Sequence, residues 1–336
     1  MRTLIALAIT LLAAVPPATA QLYQMHDDGS IWRFTGTACS GASCPGWQRL
    51  DNNPASRQIA AGAGGRLYQR HSDGKIWEYT GTPCTGTSCP GWKMLDNNGS
   101  TATIVAGGVN LYQKHSDGKI WRYTGTACAG ASCPGWQMLD NNTRTVLLAA
   151  AGTHLYQKHS DGKIWEYTGT ACTGASCPGW KMLDNNTATS TIAAGGAHLY
   201  QKHNDGKVWK YTGTPCAGAS CPGWQLLDRN TATTAIAAGS NALGFDILYQ
   251  IHGATGLIWQ YTGTACTASA CPGWRRLDNN PSSRQIVTGT GGVLFQRHAD
   301  GKIWRYTGTP CTGDSCPGWA MIDNNSHTTT IVFAGD

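Results

Sequence analysis

Short runs of alternating apolar and polar residues fill this chain, and the same runs return every 44 to 50 residues. The third copy shows the pattern. Thr103-Ile104-Val105-Ala106-Gly107-Gly108 is a brief apolar strand ending in a glycine turn. Leu111-Tyr112-Gln113-Lys114-His115 alternates with the period of two that sends successive side chains to opposite faces of a strand. Ser116-Asp117-Gly118 carries the Asp-Gly signal of a tight hairpin. Ile120-Trp121-Arg122-Tyr123-Thr124 is a third strand and Trp136-Gln137-Met138-Leu139-Asp140 a fourth, and Asn141-Asn142 leads into the next copy.

Four antiparallel strands in a unit of about 45 residues make the blade of a β-propeller. The small apolar first strand suits the crowded position next to the axis. Measured from Trp32, Trp77, Trp121, Trp165, Trp209, Trp259 and Trp304, the copies are spaced by 45, 44, 44, 44, 50 and 45 residues, with no linker between them. The two ends are complementary. Leu22-Tyr23-Gln24 is the second strand of a unit, whereas Thr330-Ile331-Val332-Phe333-Ala334-Gly335 is a first strand. The expected fold is therefore all-β: a seven-bladed β-propeller of four-stranded antiparallel blades. Its ring is closed by the C-terminal strand, which completes the first blade, and one domain covers residues 21–336. Antiparallel order puts the His-x-Asp-Gly turns and the Asp-Asn-Asn connections on one face. It puts the glycine turns and the cysteine loops on the other.

Residues 1–20 read as a secretory signal peptide. Arg2 precedes an apolar run from Leu4 to Val15, and Ala18-Thr19-Ala20 is an A-x-A cleavage signal. The run is too short to span a bilayer, and no stable membrane insertion is expected. Export makes the cysteines readable as disulfides. All 14 fall in Cys-x4-Cys pairs, each followed by Pro-Gly-Trp: Cys39/Cys44, Cys84/Cys89, Cys128/Cys133, Cys172/Cys177, Cys216/Cys221, Cys266/Cys271 and Cys311/Cys316. Zinc sites favour Cys-x2-Cys or Cys/His sets, so neither a metal nor another cofactor is expected. Each small ring is worth about 2 kcal/mol by loop entropy.

The formal charge is +6. Most lysines stand singly at the same turn, as Lys75, Lys119, Lys163, Lys207 and Lys302 do. Such scattered charge argues against nucleic acid as a partner. The residue after the first Trp of each copy changes sign (Arg33, Glu78, Arg122, Glu166, Lys210, Gln260, Arg305), which implies solvent exposure.

Four short motifs resemble the tectonin and tachylectin type of propeller lectin along the whole mature chain. They are Ile104-Val105-Ala106-Gly107, Leu111-Tyr112-Gln113, the Asp117-Gly118 turn before Ile120-Trp121, and Gly135-Trp136. The resemblance implies a sugar binder with several equivalent sites, often between blades. A Cys-x4-Cys loop in every blade is where this chain departs from that pattern.

Three sets of residues are candidates for carbohydrate contact. Trp47, Trp92, Trp136, Trp180, Trp224 and Trp319 follow the Pro-Gly turn and offer indole faces for stacking on sugar rings. The first Trp of each copy reads instead as packing between blades. His26, His71, His115, His159, His203 and His298, with Asp28, Asp73, Asp117, Asp161, Asp205 and Asp300 two residues on, have the chemistry to grip adjacent hydroxyls. The structural alternative is a His–Asp bond locking the hairpin. Asn52, Asn97, Asn141, Asn185 and Asn324 supply carboxamides, although turn formation alone accounts for Asx residues here. Blade six differs: it carries the insertion Asn241-Ala242-Leu243-Gly244-Phe245-Asp246, and its turn after His252 lacks the Asp.

Near-identical copies without catalytic asymmetry point to a secreted, extracellular, multivalent lectin for glycans or glycoconjugates, and not to an enzyme. A polysaccharide lyase or hydrolase is one alternative and a structural or protein-interaction propeller the other. Association of rings into a homo-oligomer is compatible with the sequence. A small-angle scattering profile is expected to be that of a compact disc. A rod-like profile contradicts ring closure.

Overall fold

The computed structural model describes residues 21–334. They form seven four-stranded antiparallel sheets, each ordered from an inner to an outer strand. The ring closes as the two chain ends predict: Thr328–Ala334 pairs with Gln21–His26 and completes the blade continued by Ile31–Phe34 and Trp47–Asp51. The signal-peptide reading of residues 1–20 and the last residue of the closing strand, Gly335, lie outside the described residues.

In blade three the strands are Thr101–Gly107, Asn110–His115, Ile120–Tyr123 and Trp136–Asp140. Inner strands of neighbouring blades pack on one another around the axis, which explains their small residues. A Cβ built on Gly107 would lie 2.8 Å from the Ala150 side chain of the next blade. The Asp-Gly hairpins also behave as their sequence requires, with Gly118 at φ +91°.

The core is divided among the gaps between blades. Ile104 and Leu111 of blade three meet Tyr68, Ile76 and Leu95 of blade two, and six similar clusters fill the other gaps. Each buried Leu or Ile contributes about 1.5–3 kcal/mol. A blade thus has little core of its own, and closing the ring is what buries its two faces.

A polar bridge crosses every gap beside this apolar packing. In blade three the buried Gln113 donates from Nε2 to Asp96 of blade two at 2.7 Å and accepts at Oε1 from the Thr101 hydroxyl. The same glutamine-to-aspartate bond joins Gln24 to Asp323, Gln69 to Asp51, Gln157 to Asp140, Gln201 to Asp184, Gln250 to Asp228 and Gln296 to Asp278, all at 2.6–2.8 Å. The aspartate is the first residue of each Asp-Asn-Asn or Asp-Arg-Asn connection. It is a buried tie between blades as well as a turn former.

The cysteines pair within each loop, as their spacing predicts. The disulfides are Cys39–Cys44, Cys84–Cys89, Cys128–Cys133, Cys172–Cys177, Cys216–Cys221, Cys266–Cys271 and Cys311–Cys316. Seven disulfides fit an oxidising, extracellular compartment.

Their placement corrects the expectation from strand order. Each loop leaves the third strand on the glycine-turn face, then folds down the outer edge of the preceding blade. The first cysteine of the loop is tied there by its backbone, as Cys128 N donates to Met94 O at 3.2 Å. The residues between the cysteines then meet the connection of that blade. Asn324 donates to the loop closed by Cys44, Asn52 to that closed by Cys89, and Asn97 to that closed by Cys133. Asn141, Asn185, Arg229 and Asn279 do the same for the loops closed by Cys177, Cys221, Cys271 and Cys316. Hence Cys44, Cys89, Cys133, Cys177, Cys221, Cys271 and Cys316 do not stand on the face opposite the Asp-Asn-Asn connections, where strand order put them. All seven are half-buried at the blade edge, beside those connections. The cause is the length of the loop, which lets it return along the neighbouring blade and exchange hydrogen bonds with it.

The sign-changing position after the first Trp also differs from expectation. Glu78 and Glu166 are largely buried and paired across the hairpin with Lys93 at 3.1 Å and Lys181 at 2.9 Å. Charge varies there because the cross-strand partner varies with it.

Gln113→Leu keeps the volume but leaves the Asp96 carboxylate and the Thr101 hydroxyl buried without their partner. The expected cost is about 2–4 kcal/mol, read as a lowered denaturation midpoint. An unchanged midpoint contradicts the bridge.

Candidate functional site

The alternation Gln-x-His along the second strand puts Gln157 and His159 on the face turned to the preceding blade. The hairpin register sets Trp165 opposite Gln157. The third-strand Trp therefore lies on the same face, with the His159 and Trp165 ring centroids 5.7 Å apart. The other blades repeat this pair at 5.6–5.7 Å.

In three of the gaps the pair lines the floor of a recess between blades. Between blades three and four the recess has a volume of about 380 Å³ and is lined by Asp140, Asn141, Asn142, Gln157, His159, Trp165, Cys177, Pro178 and Trp180. The equivalent residues line recesses between blades six and seven and between blades seven and one, where Cys316 and Cys44 take the place of Cys177. Asp-Asn-Asn comes from one blade, and the histidine, both tryptophans and the disulfide come from the next.

The hydrogen-bond inventory of the recess is incomplete in a regular way. Nε2 of His26, His71, His115, His159, His203, His252 and His298 is buried without a partner. So is Nε1 of Trp77, Trp121, Trp165, Trp209, Trp259 and Trp304. In blade one, Trp32 donates instead to the Ser30 hydroxyl at 3.0 Å. A buried polar group without a partner costs about 1–3 kcal/mol, and here the deficit recurs around the ring.

The other candidates are already engaged. Trp47, Trp92, Trp136, Trp180, Trp224 and Trp319 each donate Nε1 to a carbonyl on the preceding blade at 2.9 Å, as Trp274 does at 2.8 Å. They wall the recess and tie blades together, and their half-buried rings lean on a third-strand aromatic, as Trp180 does on Tyr167. Asn52, Asn97, Asn141, Asn185 and Asn324 donate Nδ2 to the disulfide loop of the next blade at 2.8–3.0 Å. Asp73, Asp117, Asp161, Asp205 and Asp300 pair at 2.6–2.8 Å with the lysine two residues on, and Asp28 caps its turn through Ser30 N at 2.8 Å. None of these turn aspartates lines the three recesses. The structure thus brings together the histidines, the second tryptophans and the asparagines, and sets the turn aspartates apart. Sequence reasoning assigned the third-strand tryptophans to packing alone. The signal for them was present in the Gln-x-His alternation and the two-residue Asp-Gly hairpin, which fix Trp opposite Gln.

Blade six retains His252 and Trp259 at 5.7 Å. Its departure lies in the neighbouring connection, where Arg229 replaces the asparagine and donates to Thr267 O at 2.9 Å.

Among the described residues, no helix is long and apolar enough to cross a membrane, and no group of three His, Cys, Asp or Glu side chains is placed to hold a metal.

No family model matches the sequence, and no curated protein matches it either. Solved structures do resemble it. Prp20p from Saccharomyces cerevisiae, studied for binding to Gsp1p and histones, superposes with a TM-score of 0.56 at 12% identity, covering 93% of this chain and 87% of that one. Human WBSCR16 gives 0.53 at 11% identity over 85% and 88% of the two chains. YCF48 from Cyanidioschyzon merolae gives 0.51 at 11% over 87% and 96%. These likenesses show a shared β-propeller fold.

Burial holds the seven second-strand histidines, His26, His71, His115, His159, His203, His252 and His298, below their ordinary value of 6.5; for His159, Asp161 and Asp140 pull the other way. The unfolded chain therefore takes up protons first as pH falls. Stability is expected to drop as pH passes down through about 6.5 and to level off below the folded value. Melting temperatures from about pH 7.5 to 5 should show this slope, and His159→Gln should reduce it. An unchanged slope contradicts a buried, neutral histidine.

Proposed function

We propose that the chain is a secreted, multivalent carbohydrate-binding protein whose sites are the recesses between blades. One observation carries the reading: the repeated pair of unpartnered groups, His Nε2 and third-strand Trp Nε1, at the floor of a recess walled by a second Trp. A neutral imidazole donates or accepts, and the indole N–H donates. Together they suit a sugar hydroxyl, which does both and meets these buried atoms as the two rings turn toward the recess. The asparagine Oδ1 at the rim remains free to accept, and the wall offers an aromatic face for C–H contact.

The buried aspartate at the back of each recess opposes an anionic ligand, so a neutral sugar fits better than a uronate or a sulfated one. The same aspartate favours binding over hydrolysis. Its Oδ2 is held by Gln157 in blade four, and its Oδ1 accepts from Asn142 N at 3.0 Å. Glycoside hydrolysis needs two available carboxyl groups at a defined separation, and each recess holds one, already engaged. Weak sites repeated around a ring gain avidity on a glycan-coated surface by raising local concentration.

Glycan-array screening followed by calorimetry on the best neutral sugar should return several equivalent sites per chain. Trp165→Phe keeps an aromatic ring at this position while removing the N–H together with the five-membered half of the indole. It should lower the stoichiometry by one while the other sites keep their affinity. An unchanged stoichiometry removes the recess from the account, and a blank array removes the sugar.

A further inference from the structure

We propose a second, single-copy site on the opposite, glycine-turn face: a groove built by the blade-six insertion that takes an acidic, apolar peptide segment of a partner protein. It does not depend on the lectin reading.

In blades three, four and five the inner and second strands are joined by two-residue glycine turns, and in blades two and seven by longer glycine-rich connections. In blade six the turn is enlarged and braced from within. Asn241 Oδ1 accepts from the N–H groups of Leu243 and Phe245 at 2.9 and 3.0 Å, and Asn241 N donates to Phe245 O at 2.8 Å. Asp246 then anchors the insertion across the gap to blade five, accepting from Ala197 N at 3.0 Å and Lys210 Nζ at 3.1 Å and contacting the His198 ring. The result is a cavity of about 1030 Å³ spanning blades five to seven.

Three features define its occupant. Phe245 lines the groove at 68% exposure, held out by a braced turn that also carries Leu243 at 80%. An aliphatic Leu offers nothing to sugar hydroxyls but suits an apolar side chain of a peptide. The only carboxylate lining the groove, Asp246, is already occupied by Lys210. Exposed Arg275 contacts no carboxylate and donates only to Gln260 Oε1 at 2.7 Å. The groove therefore carries an excess of positive charge, complementary to Asp or Glu side chains. Finally, Tyr261 and Tyr306 line the groove and add aromatic surface for an apolar side chain of the peptide.

The test is selection of a random peptide display library on the immobilised full chain, followed by anisotropy titration of the enriched, labelled peptides. Enriched sequences should combine acidic with apolar residues. Arg275→Glu and Phe245→Ser should each weaken them at least about tenfold. Both positions are exposed and take no part in the bridges between blades, and melting temperature confirms that the variants fold. Enrichment of basic peptides, binding indifferent to both variants, or no enrichment overturns the proposal. Displacement of the peptide by oligogalacturonate, with loss of oligogalacturonate binding in Arg275→Glu, also overturns it, because the groove would then serve an acidic glycan.

Discussion

The Asp–Gln–Thr/Ser bridge across each gap is the constraint on which this molecule rests. A blade of four short strands cannot bury its own faces, so stability comes from the gaps, and apolar packing alone would allow neighbouring blades to slide. A buried carboxylate that must meet a buried carboxamide does not allow sliding. In blade three the bridge fixes Gln113 against Asp96. Because strands alternate, it also fixes His115 and the facing Trp121 on the same side. The recess is a consequence of that register.

The division of labour between the two tryptophans follows from the same geometry. The outer-strand Trp follows a Pro-Gly turn and reaches the preceding blade, where a free carbonyl takes its N–H. The third-strand Trp stacks on histidine and finds no carbonyl in range. One indole in each blade thereby ties blades together, and in six of the seven blades the other keeps an N–H without a partner. The disulfide loop folds down the edge of the preceding blade and closes the outer side of the recess, so the cysteines shape the site as well as staple the loop. Blade six and the connection before it break the symmetry three times: Arg229 stands in place of an asparagine, the turn after His252 lacks the Asp, and the insertion builds a groove on the other face.

Much of this was legible in the sequence because the repeat supplies seven readings of each position. Period-two alternation, Asp-Gly hairpins and complementary ends lead to the closed ring. What was not legible depended on contacts between repeats. The Asp of Asp-Asn-Asn looks like any turn former until the glutamine of the next blade is found against it. The pairing of the cysteines was plain from their spacing, but their loop was placed on the wrong face. Strand order says where a loop begins, not along which edge it returns, so the approach of Cys133 to Asn97 of the preceding blade could not be read from one repeat. The hairpin Asp117 looked like a partner for His115, but Lys119 lies closer in the turn and takes it. The third-strand tryptophans looked like core because their ring faces are packed. What the pattern hides is the N–H, whose lack of a partner only the three-dimensional arrangement reveals.

The most direct test is an NMR titration that follows the indole N–H signals of uniformly 15N-labelled protein with a neutral sugar selected from an array. The account predicts that the third-strand indoles, those without carbonyl partners, shift and become protected from hydrogen exchange, while the outer-strand indoles stay in place. Movement of the outer-strand set alone, or of neither set at saturating sugar, would contradict it.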